Sequence, residues 1–159
     1  MADNLHKNTG ILAVCTGNIC RSPMAEGILR TIFKSCPDIK ISSAGTHAIN
    51  GNSAVEFAII ASIENGIDIS GHSARLLDDK IIDDSSIILC MEPIHIELVL
   101  SLNPSAYGKI FNLSAFSANT KMRRKIDDPY GSSLRSYRNC FMDIQGCIRN
   151  FVSEHYRIL

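Results

Sequence analysis

The sequence predicts an α/β domain of three layers, in which helices cover both faces of a four-stranded parallel sheet. Short apolar runs of strand length recur along the chain, and stretches with helical spacing of apolar residues separate them. Strands that alternate with helices in this way favour a parallel sheet. The 159 residues suit a single domain spanning 1–159, and no linker-like or repetitive stretch divides them.

The first strand is predicted at residues 10–15, where the apolar run GILAVC stops at a glycine-containing segment. A helix should follow, because Ser22 can cap it and Pro23 suits its first helical position. Its apolar face is formed by Ala25, Ile28, Leu29, Ile32 and Phe33. The chain is therefore expected to open with a strand, a tight loop and a helix.

The same pattern then repeats along the chain. Residues 39–45 are predicted to form the second strand, and residues 53–65 a helix that is closed by Gly66. A third strand is predicted at residues 86–91, after which Pro93 opens another helix.

The last two elements complete the sheet and one helical layer. Residues 109–113, KIFNL, are a candidate for the fourth strand. A long final helix is indicated by apolar residues at helical spacing, namely Leu134, Tyr137, Phe141, Ile144, Ile148, Phe151 and Val152.

Composition and charge narrow the classes of function. Basic and acidic residues balance at 16 each and the pI is about 6.9, so binding to a nucleic-acid backbone is not expected. The polar start MADNLHKNTG has no apolar export segment, and no run reaches the roughly 18 apolar residues of a membrane span. We therefore expect a cytoplasmic protein without membrane insertion.

The six cysteines are expected to be free thiols, because a cytoplasmic chain lies in a reducing compartment. None of the five histidines pairs with cysteines at the spacing of a zinc site. We predict no metal site and no cofactor.

The stretch VCTGNICRSP, residues 14–23, lies at the carboxyl end of the first predicted strand. A glycine-containing loop that enters a helix there offers unpaired N–H groups to an anion. It matches neither nucleotide-binding glycine pattern. If the loop curls around the anion, the sulfur of Cys15 lies at its base and the Arg21 guanidinium can bind two oxygens of a tetrahedral oxyanion. The same positive field favours the thiolate, so the arrangement suits nucleophilic attack on phosphorus.

The motif C-x5-R-S in VCTGNICRSPMAEGIL resembles the low-molecular-weight protein tyrosine phosphatases. The loop also has the family's residues Gly17, Asn18, Cys20, Ser22 and Pro23 in place. The resemblance implies a phosphotyrosine hydrolase that forms a phosphocysteine on Cys15, with Arg21 and the loop residues Thr16, Gly17, Asn18, Ile19 and Cys20 binding the phosphate.

The segment DDPYG, residues 127–131, supplies the expected proton donor for the leaving phenolate. Alone, Asp-Asp-Pro is typical of a turn. In the family the general acid directly precedes proline in a D-P-Y element, which implies that Asp128 is the acid and Asp127 a neighbour. Tyr130 could flank a flat aromatic substrate, whereas Gly131 stands where eukaryotic members often have a second aromatic residue.

Three further residues match supporting positions of the family. Ser43 and His72 are expected to hydrogen-bond Asn18 and Ser22 and so to hold the shape of the loop. Cys20 is expected to come within disulfide distance of Cys15 and to act as its redox partner, a use that the family makes of this pair.

ILCMEPIHIELV and the spacing of the D-P-Y element resemble the bacterial branch, whose members serve capsule or exopolysaccharide export. This implies that the partner is a phosphotyrosine protein such as an autophosphorylated bacterial tyrosine kinase.

Three alternatives remain. Related arsenate reductases share the loop but also have a downstream cysteine pair, typically beside the third strand, and in that region this chain has only Cys90. They also follow the loop with glutamine, whereas this chain has Pro23. Bacterial phosphoarginine hydrolases place threonine where this chain has Ile19. A protein that binds phosphotyrosine without turnover is the third alternative.

Overall fold

The computed structural model describes residues 8–122 and 124–156, so most of the polar start of the chain lies outside the described residues. Four strands form one sheet: β1 Thr9–Cys15, β2 Ile39–Gly45, β3 Ile87–Cys90 and β4 Ile110–Asn112. Their order is β2-β1-β3-β4, and all three pairings are parallel. The predicted α/β fold with a four-stranded parallel sheet is confirmed.

Within the described residues, five α-helices surround the sheet: α1 Arg21–Ile32, α2 Glu56–Ile63, α3 Asp79–Asp83, α4 Pro93–Leu102 and α5 Leu134–His155. Short 3₁₀ segments lie at Pro104–Lys109, Leu113–Phe116 and Thr120–Met122. Of the helices in the described part of the chain, none has the length and hydropathy needed to cross a membrane.

The core lies on both faces of the sheet, because successive side chains of β1 point to opposite sides. Ile11 and Ala13 belong to the larger apolar cluster, which the buried faces of α1, α2 and α5 complete. Leu12 and Val14 belong to a smaller cluster with residues of α3 and α4. The two clusters explain why β1 reads as a continuous apolar run rather than an alternating one.

The start of α1 differs from the prediction. The helix begins at Arg21 with Cys20 as its N-cap residue, and no side chain caps it. Ser22 is therefore the second helical residue and Pro23 the third. The Ser22 hydroxyl is unavailable for capping, because it bonds to the Cys15 sulfur and the Asn18 amide instead.

The second predicted helix is also shorter in the structure. It covers Glu56–Ile63 rather than residues 53–65. The chain turns after it and reaches Gly66, whose φ of +76° is the left-handed conformation that glycine adopts most readily. The sequence predicts neither α3 nor the 3₁₀ segments, because each is too short to show a helical period of apolar residues.

Candidate active site

The loop between β1 and α1 curls because its carbonyl groups are held from outside. Four of them accept hydrogen bonds from the surrounding chain: Cys15 O from Thr46 N at 3.0 Å, Thr16 O from His47 N at 2.9 Å, Asn18 O from His72 Nε2 at 2.7 Å and Ile19 O from Val55 N at 2.9 Å. With these carbonyls turned outward, the Asn18 N–H points to the inner side of the loop, towards the Cys15 sulfur, and inward N–H groups are what anion-binding loops use.

Asn18 is the central support of this loop. It is fully buried and has a φ of +54°, a left-handed conformation that asparagine tolerates better than most residues. Its side-chain amide donates to Ser22 Oγ at 2.8 Å and to Ser43 Oγ at 2.9 Å, and its Oδ1 accepts from Arg75 N at 2.9 Å. The side-chain amide of one asparagine thus joins the loop to α1, to β2 and to the segment before α3.

The expected supporting residues Ser43 and His72 both bond to Asn18, the first through its side chain and the second through its carbonyl. The expected bonds to Ser22 are not seen among the described residues, where Ser22 bonds to Asn18 and Cys15 instead. Because a carbonyl only accepts, His72 must have its proton on Nε2. Ser43 in turn donates to Glu26 of α1, which leaves its oxygen free to accept from Asn18.

The end of β2 also shapes the loop through close approach. A Cβ at Gly45 would lie 2.5 Å from Thr16 O and 2.8 Å from Asn18 N, which is closer than atoms can pack. Only glycine lets the backbones of β2 and the loop meet at this point.

Cys15 ends β1 and is 2% exposed. Its sulfur lies 2.9 Å from Ser22 Oγ and accepts from the Asn18 backbone N–H at 3.3 Å. Since Ser22 Oγ already accepts from Asn18, its own proton is free to point at the sulfur. A thiolate at this position would therefore receive two hydrogen bonds, one from each of these residues.

The guanidinium of Arg21 is buried, with 1% of the side chain exposed, and is held by three groups. Nη1 donates to the Glu92 carboxylate and to Ile126 O at 2.9 Å, and Nη2 lies 3.2 Å from Asp128 Oδ2. Burial alone would lower the pKa of Arg21, but the Glu92 hydrogen bond and the nearby negative charges raise it above its ordinary value. Its Nε is buried without a hydrogen-bond partner among the described residues, so this N–H can donate to a bound ligand.

The remaining predicted groups meet at one pocket of about 220 Å³. Asp128 and Tyr130 form its outer part, with 44% of the Asp128 side chain and 65% of Tyr130 exposed. The Tyr130 backbone N–H donates to Asp128 Oδ1 at 3.1 Å, which fixes one carboxylate oxygen in the turn. The pocket is lined by Cys15, Thr16, Gly17, Ile19, Cys20, Arg21, Asp128 and Tyr130.

Cys20 lines the same pocket but is 4% exposed. Burial raises the pKa of its thiol to about 12, although the hydrogen bond that it shares with the Tyr137 hydroxyl, 3.6 Å away, opposes this. The group is therefore a protonated thiol at neutral pH.

Sequence reasoning missed Glu92 and His95 as parts of the site. The sequence places Glu92 directly before Pro93, where a helix is expected to open, yet the Glu92 carboxylate pairs with Arg21. A signal was present, since Glu92 follows β3 as Thr16 follows β1, and neighbouring parallel strands end at one edge of the sheet. His95 bonds to Thr16, a contact that no spacing rule indicates.

Comparison with known proteins agrees with this geometry. The family model described as low molecular weight phosphotyrosine protein phosphatase matches residues 10–157. The probable low molecular weight protein-tyrosine-phosphatase AmsI of Erwinia amylovora is 39% identical over 140 residues, which are 88% of this chain and 90% of AmsI.

Solved structures extend the comparison to the whole fold. The crystal structure of the Erwinia amylovora tyrosine phosphatase AmsI has a TM-score of 0.85 at 34% identity, with 99% of each chain covered. The YwlE arginine phosphatase of Geobacillus stearothermophilus has a TM-score of 0.82 at 32% identity, with 92% of each chain covered. The chain therefore belongs to the low molecular weight phosphotyrosine protein phosphatase family.

Proposed function

We propose that the protein hydrolyses phosphotyrosine in protein substrates through a phosphocysteine intermediate. One observation carries the proposal: Cys15, Arg21 and Asp128 all line one pocket at the loop. A nucleophile, an oxyanion-binding group and a proton donor in one pocket are what phosphoryl transfer through cysteine requires.

In the first step, the Cys15 thiolate attacks phosphorus and the bond from phosphorus to the tyrosine oxygen breaks. Protonated Asp128 donates its proton to that oxygen, so tyrosine leaves as a neutral phenol. The inward N–H groups of the loop and the Arg21 guanidinium, including its unpaired Nε, bind the phosphoryl oxygens. Ser22 donates to the sulfur and so stabilises its anionic form before attack.

In the second step, the Asp128 carboxylate accepts a proton from a water molecule, whose oxygen attacks the phosphocysteine. The bond from sulfur to phosphorus breaks, phosphate is released and the Cys15 thiolate returns. One carboxyl group therefore serves as acid and then as base, which its 44% exposed side chain allows since water can reach it.

Phosphotyrosine suits the walls of the pocket. Ile19 and Tyr130, one a large apolar residue and the other aromatic, both line it, and side chains of these kinds pack well against a phenyl ring. The relatives named as protein-tyrosine-phosphatases come from bacteria, which supports a bacterial phosphotyrosine protein as substrate. Within that class, we propose an autophosphorylated tyrosine kinase of exopolysaccharide export, dephosphorylated in the cytoplasm.

Phosphoarginine is a second candidate substrate, because the YwlE arginine phosphatase has the same fold at 32% identity. Ile19 opposes this candidate, since it offers no hydroxyl to assist attack on a phosphoramidate. Arsenate reduction has less support, because it needs a second cysteine that can form a disulfide. Cys90, the cysteine in the third strand, is fully buried, and burial raises the pKa of its thiol.

The deciding experiment compares two peptides that differ only in carrying phosphotyrosine or phosphoarginine. We expect metal-independent turnover of the phosphotyrosine peptide with the higher kcat/KM, and loss of turnover in Cys15→Ser with retained vanadate binding. Residual activity of Cys15→Ser within about tenfold of the wild type would remove Cys15 as nucleophile. A preference for the phosphoarginine peptide would reassign the substrate, and binding without turnover would make the protein a phosphotyrosine-binding module.

A further inference from the structure

His95 connects two parts of the site that lie on different elements. It is the third residue of α4 and is fully buried. Its Nδ1 lies 3.2 Å from the Glu92 backbone nitrogen, and its Nε2 lies 2.9 Å from Thr16 Oγ1 in the phosphate loop. The imidazole ring therefore bridges the N-terminus of α4 and the loop that ends β1.

These two contacts determine where the ring carries its proton. The Glu92 backbone N–H is a donor, so Nδ1 must accept and be unprotonated. A neutral ring then has its proton on Nε2, which donates to the Thr16 hydroxyl. Burial, followed by the nearby positive charge of Arg21, lowers the pKa of His95 to about 4, so the ring is neutral at physiological pH.

Both partners of His95 belong to the proposed phosphate site, Thr16 directly and Glu92 through Arg21. Thr16 lines the pocket, and its carbonyl is held on the far side by His47 N at 2.9 Å. Glu92 precedes α4, and its carboxylate holds Arg21 Nη1. A shift of α4 relative to the loop would therefore move the guanidinium away from the backbone groups that bind the same oxyanion.

We propose that neutral His95 is a positioning residue. It fixes the position of Glu92, which binds the Arg21 guanidinium, relative to Thr16 of the phosphate loop. The proposal rests on the phosphatase function above, because it assigns the residue a role in that site. His95 does not touch the substrate in this proposal. It acts by fixing the distance between two groups that must bind one phosphoryl group together.

Two near-isosteric substitutions separate the two hydrogen bonds. In His95→Asn the side-chain oxygen can accept from Glu92 N as Nδ1 does, but the bond to Thr16 is lost. In His95→Gln the amide nitrogen can reach the position of Nε2 and donate to Thr16. We expect kcat on an aryl phosphate to fall roughly tenfold or more in His95→Asn and clearly less in His95→Gln, with small changes in KM.

A binding measurement distinguishes positioning from a general loss of structure. Vanadate resembles the transition state more closely than phosphate does, so a positioning defect should weaken vanadate inhibition more than phosphate inhibition. His155→Gln is the matched control, because His155 lies on α5 and bonds to Phe151 O away from the site. It should leave both inhibition constants unchanged.

A double-mutant cycle tests the Thr16 bond even if one His95 variant fails to fold. Thr16→Val removes the hydroxyl that accepts from Nε2. Adding His95→Asn to Thr16→Val should then cost little further activity, because the bond is already gone. Equal losses in His95→Asn and His95→Gln, or costs that simply add in the cycle, would overturn the proposal.

Failure of the proposed function would look different. If the wild type turns over neither aryl phosphate nor phosphopeptide, the phosphatase assignment is wrong, whereas the state of His95 can still be read by nitrogen NMR of histidine-labelled protein. We expect a neutral ring with the proton on Nε2 near neutral pH. A charged ring, or a proton on Nδ1, would overturn the positioning role independently of any activity.

Discussion

Asp128 lies in the outer part of the pocket, a position that suits a proton donor to the leaving group. One of its oxygens is fixed by Tyr130 N, while the other lies 3.2 Å from Arg21 Nη2 and the side chain is 44% exposed. We predict that Asp128→Asn lowers kcat on phosphotyrosine by about 10²–10⁴, the usual contribution of a positioned acid. The loss should shrink for an aryl phosphate whose leaving group needs no proton. Equal losses across leaving groups would contradict the role of Asp128 as acid.

Asp127 supplies the matched control for this substitution. It is adjacent in sequence and exposed, and its carboxylate pairs with Lys125 at 3.3 Å rather than with the Arg21 guanidinium. Asp127→Asn should retain activity close to that of the wild type, because surface ion pairs of this kind contribute little. Steady-state kinetics on the same series of aryl phosphates measures both variants.

Cys20 is predicted to protect the enzyme from oxidation by reacting with oxidised Cys15. Burial raises the pKa of its thiol to about 12, so Cys20 itself should react slowly with peroxide. We predict that peroxide converts Cys15 to a sulfenic acid, with which Cys20 condenses to a disulfide and releases water. Thiol treatment should then restore activity, and mass spectrometry should find a Cys15–Cys20 peptide. Equal recovery in Cys20→Ser would show that Cys20 gives no protection.

At the scale of elements, the sequence predicts the four strands and the long helix α5 well and the short helical segments poorly. The strands and α5 are found where their apolar patterns indicate, because burial on the sheet faces imposes those patterns. The predicted start of α1 is wrong, because the sequence cannot show that the Ser22 hydroxyl, the expected cap, is hydrogen-bonded to Asn18 and Cys15 instead. Site geometry overrides the local capping preference there.

The same limit applies to the candidate site. Residues of the loop and the D-P-Y element could be found because they are contiguous motifs. Glu92 and His95 lie together at the start of α4, and Ile126 lies just before the D-P-Y element, so only the tertiary structure brings these groups to Arg21 and Thr16. Contacts of this kind depend on tertiary structure, which no local spacing encodes.

Helix α5 should contribute strongly to stability through Phe151. This ring is fully buried and contacts the aromatic rings of Phe111, Phe116 and His155, the last stacked at a centroid distance of 4.4 Å. Phe151→Ala should lower the free energy of unfolding by about 3–5 kcal/mol. Met142→Ala, on the exposed side of the same helix, should change it by no more than about 0.5 kcal/mol. Urea unfolding measures both, and similar losses would contradict this account of α5.

At the scale of the whole molecule, His95 should make stability depend on pH. Its pKa is about 4 in the folded protein against 6.5 for an ordinary histidine, so between these values the unfolded chain binds more protons at this residue. The free energy of unfolding contributed by His95 is therefore lost as pH falls from about 6.5 towards about 4. His95→Gln should be less stable than wild type at neutral pH, and the difference should narrow on acidification. A difference that stays constant with pH would contradict the low pKa.

The ion pair between Arg21 and Asp128 has a consequence for the release of the product. A tetrahedral dianion that binds Arg21 competes with the Asp128 carboxylate for the same guanidinium, and the two negative charges repel each other. Removing the charge in Asp128→Asn should therefore tighten the binding of an oxyanion. Calorimetric titration with sulfate measures this, and equal affinities in Asp128→Asn and the wild type would contradict the competition. In the catalytic cycle, the carboxylate would then help inorganic phosphate to leave the pocket and so limit inhibition by the product.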